Sequence, residues 1–204
     1  MAADRNAWVH AAVAALRRGG VDAVRVEPLA RGLGVTKGSF YWHFRDRRDL
    51  LQALLASWEE ETDWLIGESS RHAVPADRLL SFFATVAETR VYPPDTAIFA
   101  WARRDRAVAR RAAATEEKRI AFVETQLRDS GIGPREARRR AEIGYLATLG
   151  WLERSTRATQ STDFGALSKF LFTFLLENDD LHRIDAPVHH PRGDAARTRR
   201  ERGR

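Results

Sequence analysis

The 204-residue chain contains no cysteine. That excludes a disulfide framework, a thiolate metal site and a cysteine nucleophile, and it agrees with a reducing compartment. Long apolar runs are missing too. The densest stretch, Phe170 to Leu176, falls far short of the roughly 18–20 residues that a membrane-spanning helix needs. The opening MAADRNAWVHAAVAALRR carries no leader pattern, because His10 interrupts apolar residues spaced like a helix face. The expectation is a soluble, cytoplasmic protein without a membrane partner. Catalytic groupings are equally scarce. None of the six histidines pairs at helical spacing with a carboxylate-rich metal set, and no glycine-rich phosphate loop or nucleophile motif occurs. The run Glu59-Glu60-Glu61 reads as a solvated helix face. No catalytic residue, no metal and no cofactor is therefore expected.

What is present is arginine, unevenly spread. Residues 1–50 hold 9 Lys/Arg against 5 Asp/Glu, and residues 182–204 hold 7 Arg against 3 Asp/Glu. Set against the overall +6, the stretch between them is slightly acidic. A basic first segment on an acidic body points to an anionic partner for that segment. Arginine excess also follows from GC-rich codon usage, so charge alone does not decide the matter.

Apolar periodicity is helical throughout, and no strand-like alternation of useful length occurs. Residues 5–18 place Trp8, Val9, Ala12, Val13 and Leu16 on one face, and Gly19-Gly20 ends that helix. A short helix over Val26–Leu33 tolerates Pro28 in its first turn. Gly34 interrupts it, and another short helix follows over Thr36–His43. Asp46 is a suitable N-cap for a long helix, with Asp49 in the acidic capping-box position. Further helices are expected over 75–90, from Asp95, over 107–129, over 134–154 and over about 163–178. Residues 182–204 lack apolar periodicity and read as a disordered basic tail.

A long helix, a short helix, a glycine turn and a second short helix make a helix-turn-helix, whose second short helix enters the major groove. Leu29, Ala30 and Leu33 face inward, and Phe40 and Phe44 lie at i, i+4 on one side of the next helix. Thr36, Lys37, Ser39, Tyr41, Trp42 and His43 then fall wholly or partly outside the core stripe.

The run RRGGVDAVRVEPLARGLGVTKGSFYWHFRDRRDLLQALL resembles the amino-terminal domain of the tetracycline-repressor (TetR) family. The matching features are the glycine ending the first helix, Leu29-Ala30, Leu33-Gly34-Val35, Lys37-Gly38, Phe40-Tyr41, His43-Phe44 and Leu50-Leu51, within residues 8–55. Arg25 stands where the family usually has a capping Ser or Thr. The resemblance implies an all-α fold: a three-helix DNA-binding domain (1–48), joined by a long helix to a larger helical effector-binding and dimerisation domain (49–181), before the tail (182–204). It implies DNA contacts from Arg25, Thr36, Lys37, Gly38, Ser39, Tyr41, Trp42, His43 and Arg47. Lys37 can donate to guanine or phosphate, and Thr36 and Ser39 to bases or backbone. Gly38 brings the helix close to the groove, and Tyr41 and His43 offer polar tips. Trp42 could pack on sugar or a thymine methyl, and Arg47 could meet phosphate.

In the second domain, FGALSKFLFTFLL is apolar nearly all round, and the preceding helix carries small residues along one side. Such a pair suits a four-helix interface between two copies, with Ala141, Gly144, Thr148, Trp151, Leu167, Leu171 and Phe174 as its residues. A covered core helix in a monomer is the alternative. The family pairs in this way. Its second domain often encloses a small-molecule pocket, for which Trp58, Trp64, Phe82, Phe83, Tyr92, Phe99, Trp101, Phe122 and Tyr145 are candidates for an apolar or aromatic effector. No polar constellation stands out in the sequence. The functional expectation is a homodimeric repressor binding a near-palindromic double-stranded DNA operator and released by an effector. The alternatives are a ligand-independent regulator or an activator, and, more remotely, a helical enzyme.

Overall fold

The computed structural model describes residues 3–88, 94–157 and 164–177. The described residues are helical apart from turns, in the order α1 (Arg5–Gly19), a 3-10 turn (Val21–Ala23), α2 (Val26–Gly32), α3 (Lys37–Tyr41), α4 (Arg47–Ser69), α5 (Pro75–Glu88), α6 (Asp95–Ala102), α7 (Arg106–Asp129), α8 (Pro134–Arg157) and α9 (Phe164–Leu176). Tyr92 and the expected tail 182–204 lie outside the described residues.

Side-chain oxygens start four of these helices by taking backbone N–H groups that have no partner within the helix. Asp4 accepts from Ala7, Thr36 from Ser39, Asp46 from Asp49, and Asp105 from Ala107 and Val108. Arg25 stands at the N-cap of α2 and makes no side-chain cap bond. The turn between α2 and α3 needs Gly34, whose φ of 68° is costly for a residue with a Cβ. α3 is shorter than its periodicity suggests, because Trp42 and His43 already turn toward α4.

Two apolar clusters organise the chain. The first joins α1, α2, α3 and the first half of α4, and it also takes in Ile98 and Trp101 of α6 and Val108 and Ala112 of α7. At its centre Trp8 meets Phe40 edge to face at 5.2 Å, and Phe40 stacks on Phe44 at 5.4 Å. Burying each such aromatic contributes roughly 2–3 kcal/mol, so α3 is fixed chiefly by Phe40 and Phe44. Arg5 adds a clamp: its guanidinium lies 4.3 Å over the Phe44 ring and donates to the His43 carbonyl at 2.7 Å.

The second cluster is formed by Leu65 of α4 with α5, α7, α8 and α9. Here Gly144 lets α9 approach, since a Cβ there would stand 3.4 Å from Leu175. Buried Arg140 on α8 donates to the Leu175 carbonyl at 3.0 Å and also to that of Glu177, placing a cation at the C-terminus of α9. α4 and α7 contribute to both clusters.

Candidate DNA-reading face and effector cavity

With Phe40 and Phe44 turned inward, α3 and its flanks present Thr36, Lys37, Gly38, Tyr41 and Trp42 to solvent, with Ser39 and His43 half-buried. Trp42 is 87% exposed and Tyr41 57%. The seven neighbouring candidates for DNA contact therefore form one continuous patch. Lys37 does not stand free in it: its ammonium lies 2.5 Å from a carboxylate oxygen of Glu27 on α2. The pairing holds the Glu27 carboxyl below the usual carboxylate range and the Lys37 ammonium above its ordinary value, the mutual hydrogen bond being the main cause.

The two arginine candidates differ. Arg25 is exposed beside this patch. Arg47 is half-buried and turned toward its own domain, where Nε donates to the Val24 carbonyl at 2.6 Å and Nη2 to the Val21 carbonyl at 2.5 Å. It ties the start of α4 to the loop before α2.

A cavity partly open to solvent lies between α4, α5, α7 and α8, with the start of α6 at its edge. Trp64, Phe82, Phe83 and Tyr145, all expected at a pocket, line it together with Leu65, Val123, Leu149 and Leu152. Trp58, Phe99 and Trp101 instead belong to the first cluster, and Phe122 packs behind the wall against Phe82.

A polar group that periodicity did not reveal completes the cavity. Asp95, the first residue of α6, is fully buried and pairs with Arg119 of α7. Arg119 also donates to the Thr62 hydroxyl, at 3.1 Å from Nε and 2.8 Å from Nη2. The Trp58 indole N–H donates to Asp95 at 3.4 Å, and the guanidinium sits 5.4 Å over the Trp58 ring. The buried charges are thus paired and hydrogen-bonded, as burial demands. Glu61 is exposed at the rim and makes no hydrogen bond or ion pair among the described residues, and partial desolvation together with the Asp95 charge raises its carboxyl pKa. Of the run Glu59-Glu60-Glu61, expected as a solvated face, Glu60 and Glu61 are exposed, Glu61 also bordering the cavity, while Glu59 is half-buried in a pair with Arg111 at 2.6 Å. The buried Tyr145 hydroxyl stands beside the Arg119 guanidinium without a well-aligned hydrogen bond, and burial raises its pKa.

On the carboxy-terminal helices, Ala141, Trp151 and Leu171 are buried inside the protomer, Gly144 packs on Leu175, and Thr148 lines the cavity. Phe174 is half-buried, and the side chain of Leu167 lies outside the described residues. Among the described residues, the large apolar side chains that α8 and α9 expose are Ile143, Leu146 and Phe170. Among the described residues no cluster of His, Asp or Glu could hold a metal ion, and no helix is long and apolar enough to cross a membrane.

A helix-turn-helix head with an exposed second helix is thus carried by a helical body with its own cavity. Residues 9–54 match the sequence model described as bacterial regulatory proteins, tetR family. It is 37% identical over 70 residues to the class A tetracycline repressor from transposon 1721 of Escherichia coli, covering 34% of this chain and 29% of that protein. It is 40% identical over 57 residues to the regulator TtgR of Pseudomonas putida, covering 28% and 27%. The matched segment thus spans under a third of these curated relatives. Fold similarity reaches further. A TetR regulator from Legionella pneumophila superposes with a TM-score of 0.72 at 14% identity, covering 82% of this chain and 95% of that one. FadR of Bacillus subtilis, solved with stearoyl-CoA, gives 0.62 at 15% identity, covering 85% and 98%. The relatives and structural neighbours are transcriptional regulators rather than enzymes.

Proposed function

We propose that the protein is a transcriptional repressor acting in the cytoplasm, which grips a near-palindromic operator as a homodimer and lets go when a small apolar or aromatic effector enters the cavity. The observation that carries the reading is the patch on α3: two uncovered aromatics, a lysine and hydroxyls, on a helix whose other side is locked into the head. Those side chains combine donors for bases and phosphates with apolar contact for sugar or thymine methyl. In this reading residues 1–48 bind DNA, 49–181 take the effector and the second copy, and 182–204 form a basic tail.

Pairing through α8 and α9 would bury Ile143, Leu146 and Phe170 against a second copy. It would also set two copies of α3 on successive major grooves, about 34–36 Å apart. α4 and α6 both connect cavity and head. α4 runs from Arg47 and Leu50 in the head to Glu61, Thr62 and Trp64 at the cavity. α6 has Asp95 on the cavity, while its far end packs on α1 and the 3-10 turn and Arg104 approaches Asp22 at 3.7 Å. An effector that prefers one setting of these helices shifts the spacing of the heads and so the affinity for DNA. The stearoyl-CoA held by FadR supports a small-molecule role for a body of this shape.

Selection of bound sequences from a random duplex library tests the reading. It should return a motif with dyad symmetry and two half-sites. Failure to enrich any sequence would remove the proposal.

A further inference from the structure

Lys37 opens α3, and the first residues of a helix lying in the major groove are those that reach base edges. Its ammonium is not alone. Glu27 of α2 holds a carboxylate oxygen 2.5 Å from Nζ, and both side chains are more than half exposed. The lysine therefore arrives at the groove with a carboxylate beside it, and the bond keeps both ends charged. Gly38 follows without a side chain to hold the two away from the bases.

An acid in the first turn of α2 suits that helix, whose N-cap Arg25 makes no side-chain bond. That accounts for a carboxylate at position 27, but not for its tie to the lysine of the next helix. Toward phosphate the pair is a handicap, because Glu27 cancels the charge that phosphate attracts. Toward a base pair it is a matched array. The ammonium has donors only and the carboxylate acceptors only. Each base pair shows the major groove an acceptor and a donor that share an N–H···O bond, and so lie about 2.9–3.0 Å apart. Lys37 and Glu27 present the complementary sense at nearly the same spacing.

The orientation of the base pair then matters. With guanine under Lys37, the ammonium meets N7 and O6 while the carboxylate meets the cytosine N4–H. Turned round, the ammonium faces that donor and the carboxylate faces two acceptors, so every contact repels. Thymine under Lys37 offers O4 but sets its methyl beside the charge, and adenine N7 then faces the carboxylate. Adenine under Lys37 turns its N6 donor on the ammonium and leaves thymine O4 against the carboxylate. Only guanine under the lysine satisfies both side chains.

We infer that Lys37 and Glu27 act as one two-headed reader that fixes a G·C pair, guanine under the lysine, in each half-site. This rests on the reading of α3 as the groove helix and names the base pair it selects. Glu27 is thereby a specificity-determining residue supplied by α2. It weakens the hold on arbitrary DNA and strengthens it on one pair.

The test is selection from a random duplex library with the full-length wild-type chain, Glu27→Ala and Lys37→Ala, followed by titration of substituted forms of the enriched duplex. The wild-type motif should contain one G·C column per half-site whose reversal to C·G weakens binding by roughly tenfold or more. Each variant should cut that penalty at least about threefold at the same column and leave the other columns in place. N4-methylcytosine in that column, which removes the free N4 donor, should weaken the wild-type chain and spare Glu27→Ala. 7-Deazaguanine, which removes N7, should weaken the wild-type chain and spare Lys37→Ala. A Glu27→Ala chain that loses affinity equally for every sequence assigns the acid to the folding of α2 and overturns the inference. So does N4-methylcytosine weakening both chains alike, or a pair of variants that alter different columns. A wild-type motif without such a column leaves the DNA-reading proposal standing and removes this one, whereas no motif at all removes both.

Discussion

The Lys37 ammonium and the Glu27 carboxylate lie 2.5 Å apart on the exposed face of the head, so the one lysine of α3, proposed to meet DNA, is already paired with an acid. Both groups are solvent-accessible, and such a pair adds little to folding. Its consequence is for binding, because a phosphate must compete with Glu27 for the same ammonium.

Glu27→Gln should therefore raise affinity for arbitrary duplex DNA by about threefold and steepen the salt dependence by roughly one counterion. Titration of an unrelated duplex at several salt concentrations measures both. Unchanged affinity and slope would show that Glu27 does not restrain Lys37.

Arg47 serves the head from inside, through its bonds to the Val21 and Val24 carbonyls. Arg47→Ala leaves two acceptors without their donor and should cost about 1–3 kcal/mol in denaturant unfolding. Specific DNA binding should weaken while its salt slope stays the same. A slope reduced by about one would instead assign Arg47 to phosphate.

Asp95 is fully buried and Arg119 only 16% exposed, so neither tolerates loss of the other. Asp95→Ala should destabilise the fold by about 3–5 kcal/mol, whereas Asp95→Leu/Arg119→Met, removing both charges, should cost much less. Thermal unfolding of the three proteins separates the pair from its parts. Equal losses in the single and double variants would contradict the coupling.

Glu61 gives stability a pH dependence of definite sign. Its carboxyl is held above the ordinary 4.5 by burial and Asp95, so the folded state binds the proton more tightly than the unfolded chain does. Its contribution is complete below pH 4.5 and is lost as pH rises through the higher folded value. Relative to Glu61→Gln, the wild-type protein should lose stability as pH climbs from that point toward neutrality. Parallel stability curves for the two proteins would refute this.

The helices were legible because their signals are local. Asp4, Thr36, Asp46 and Asp105 cap within three residues, and Gly34 marks its turn by backbone geometry. The split of residues 36–44 into a buried and an exposed side followed from the i, i+4 spacing of Phe40 and Phe44. The cavity was half legible. Trp64, Phe82, Phe83 and Tyr145 line it, while Trp58, Phe99 and Trp101 do not, because α6 folds back onto α1 and α4, and periodicity within a helix does not say which helix it meets. The polar group stayed hidden for the same reason. Glu61, Asp95 and Arg119 come from three helices, and in the sequence Glu61 is one acid in a run of three. On α8 and α9 the small and apolar residues mark contact without saying whether the partner is the same chain or another. Ala141 and Leu171 turn inward, and Leu146 and Phe170, 62% and 66% exposed, stay outside.

The central claim is that α3 reads DNA. Footprinting on the DNA flanking the protein's own gene, with the wild-type chain and a Lys37→Ala/Tyr41→Ala variant, tests it most directly. Both side chains are exposed, so the variant should fold normally, and circular dichroism can verify that it does. The account predicts a protected near-palindrome for the wild-type chain and no protection for the variant. Equal protection by the two proteins, or none by the wild-type chain, would contradict it.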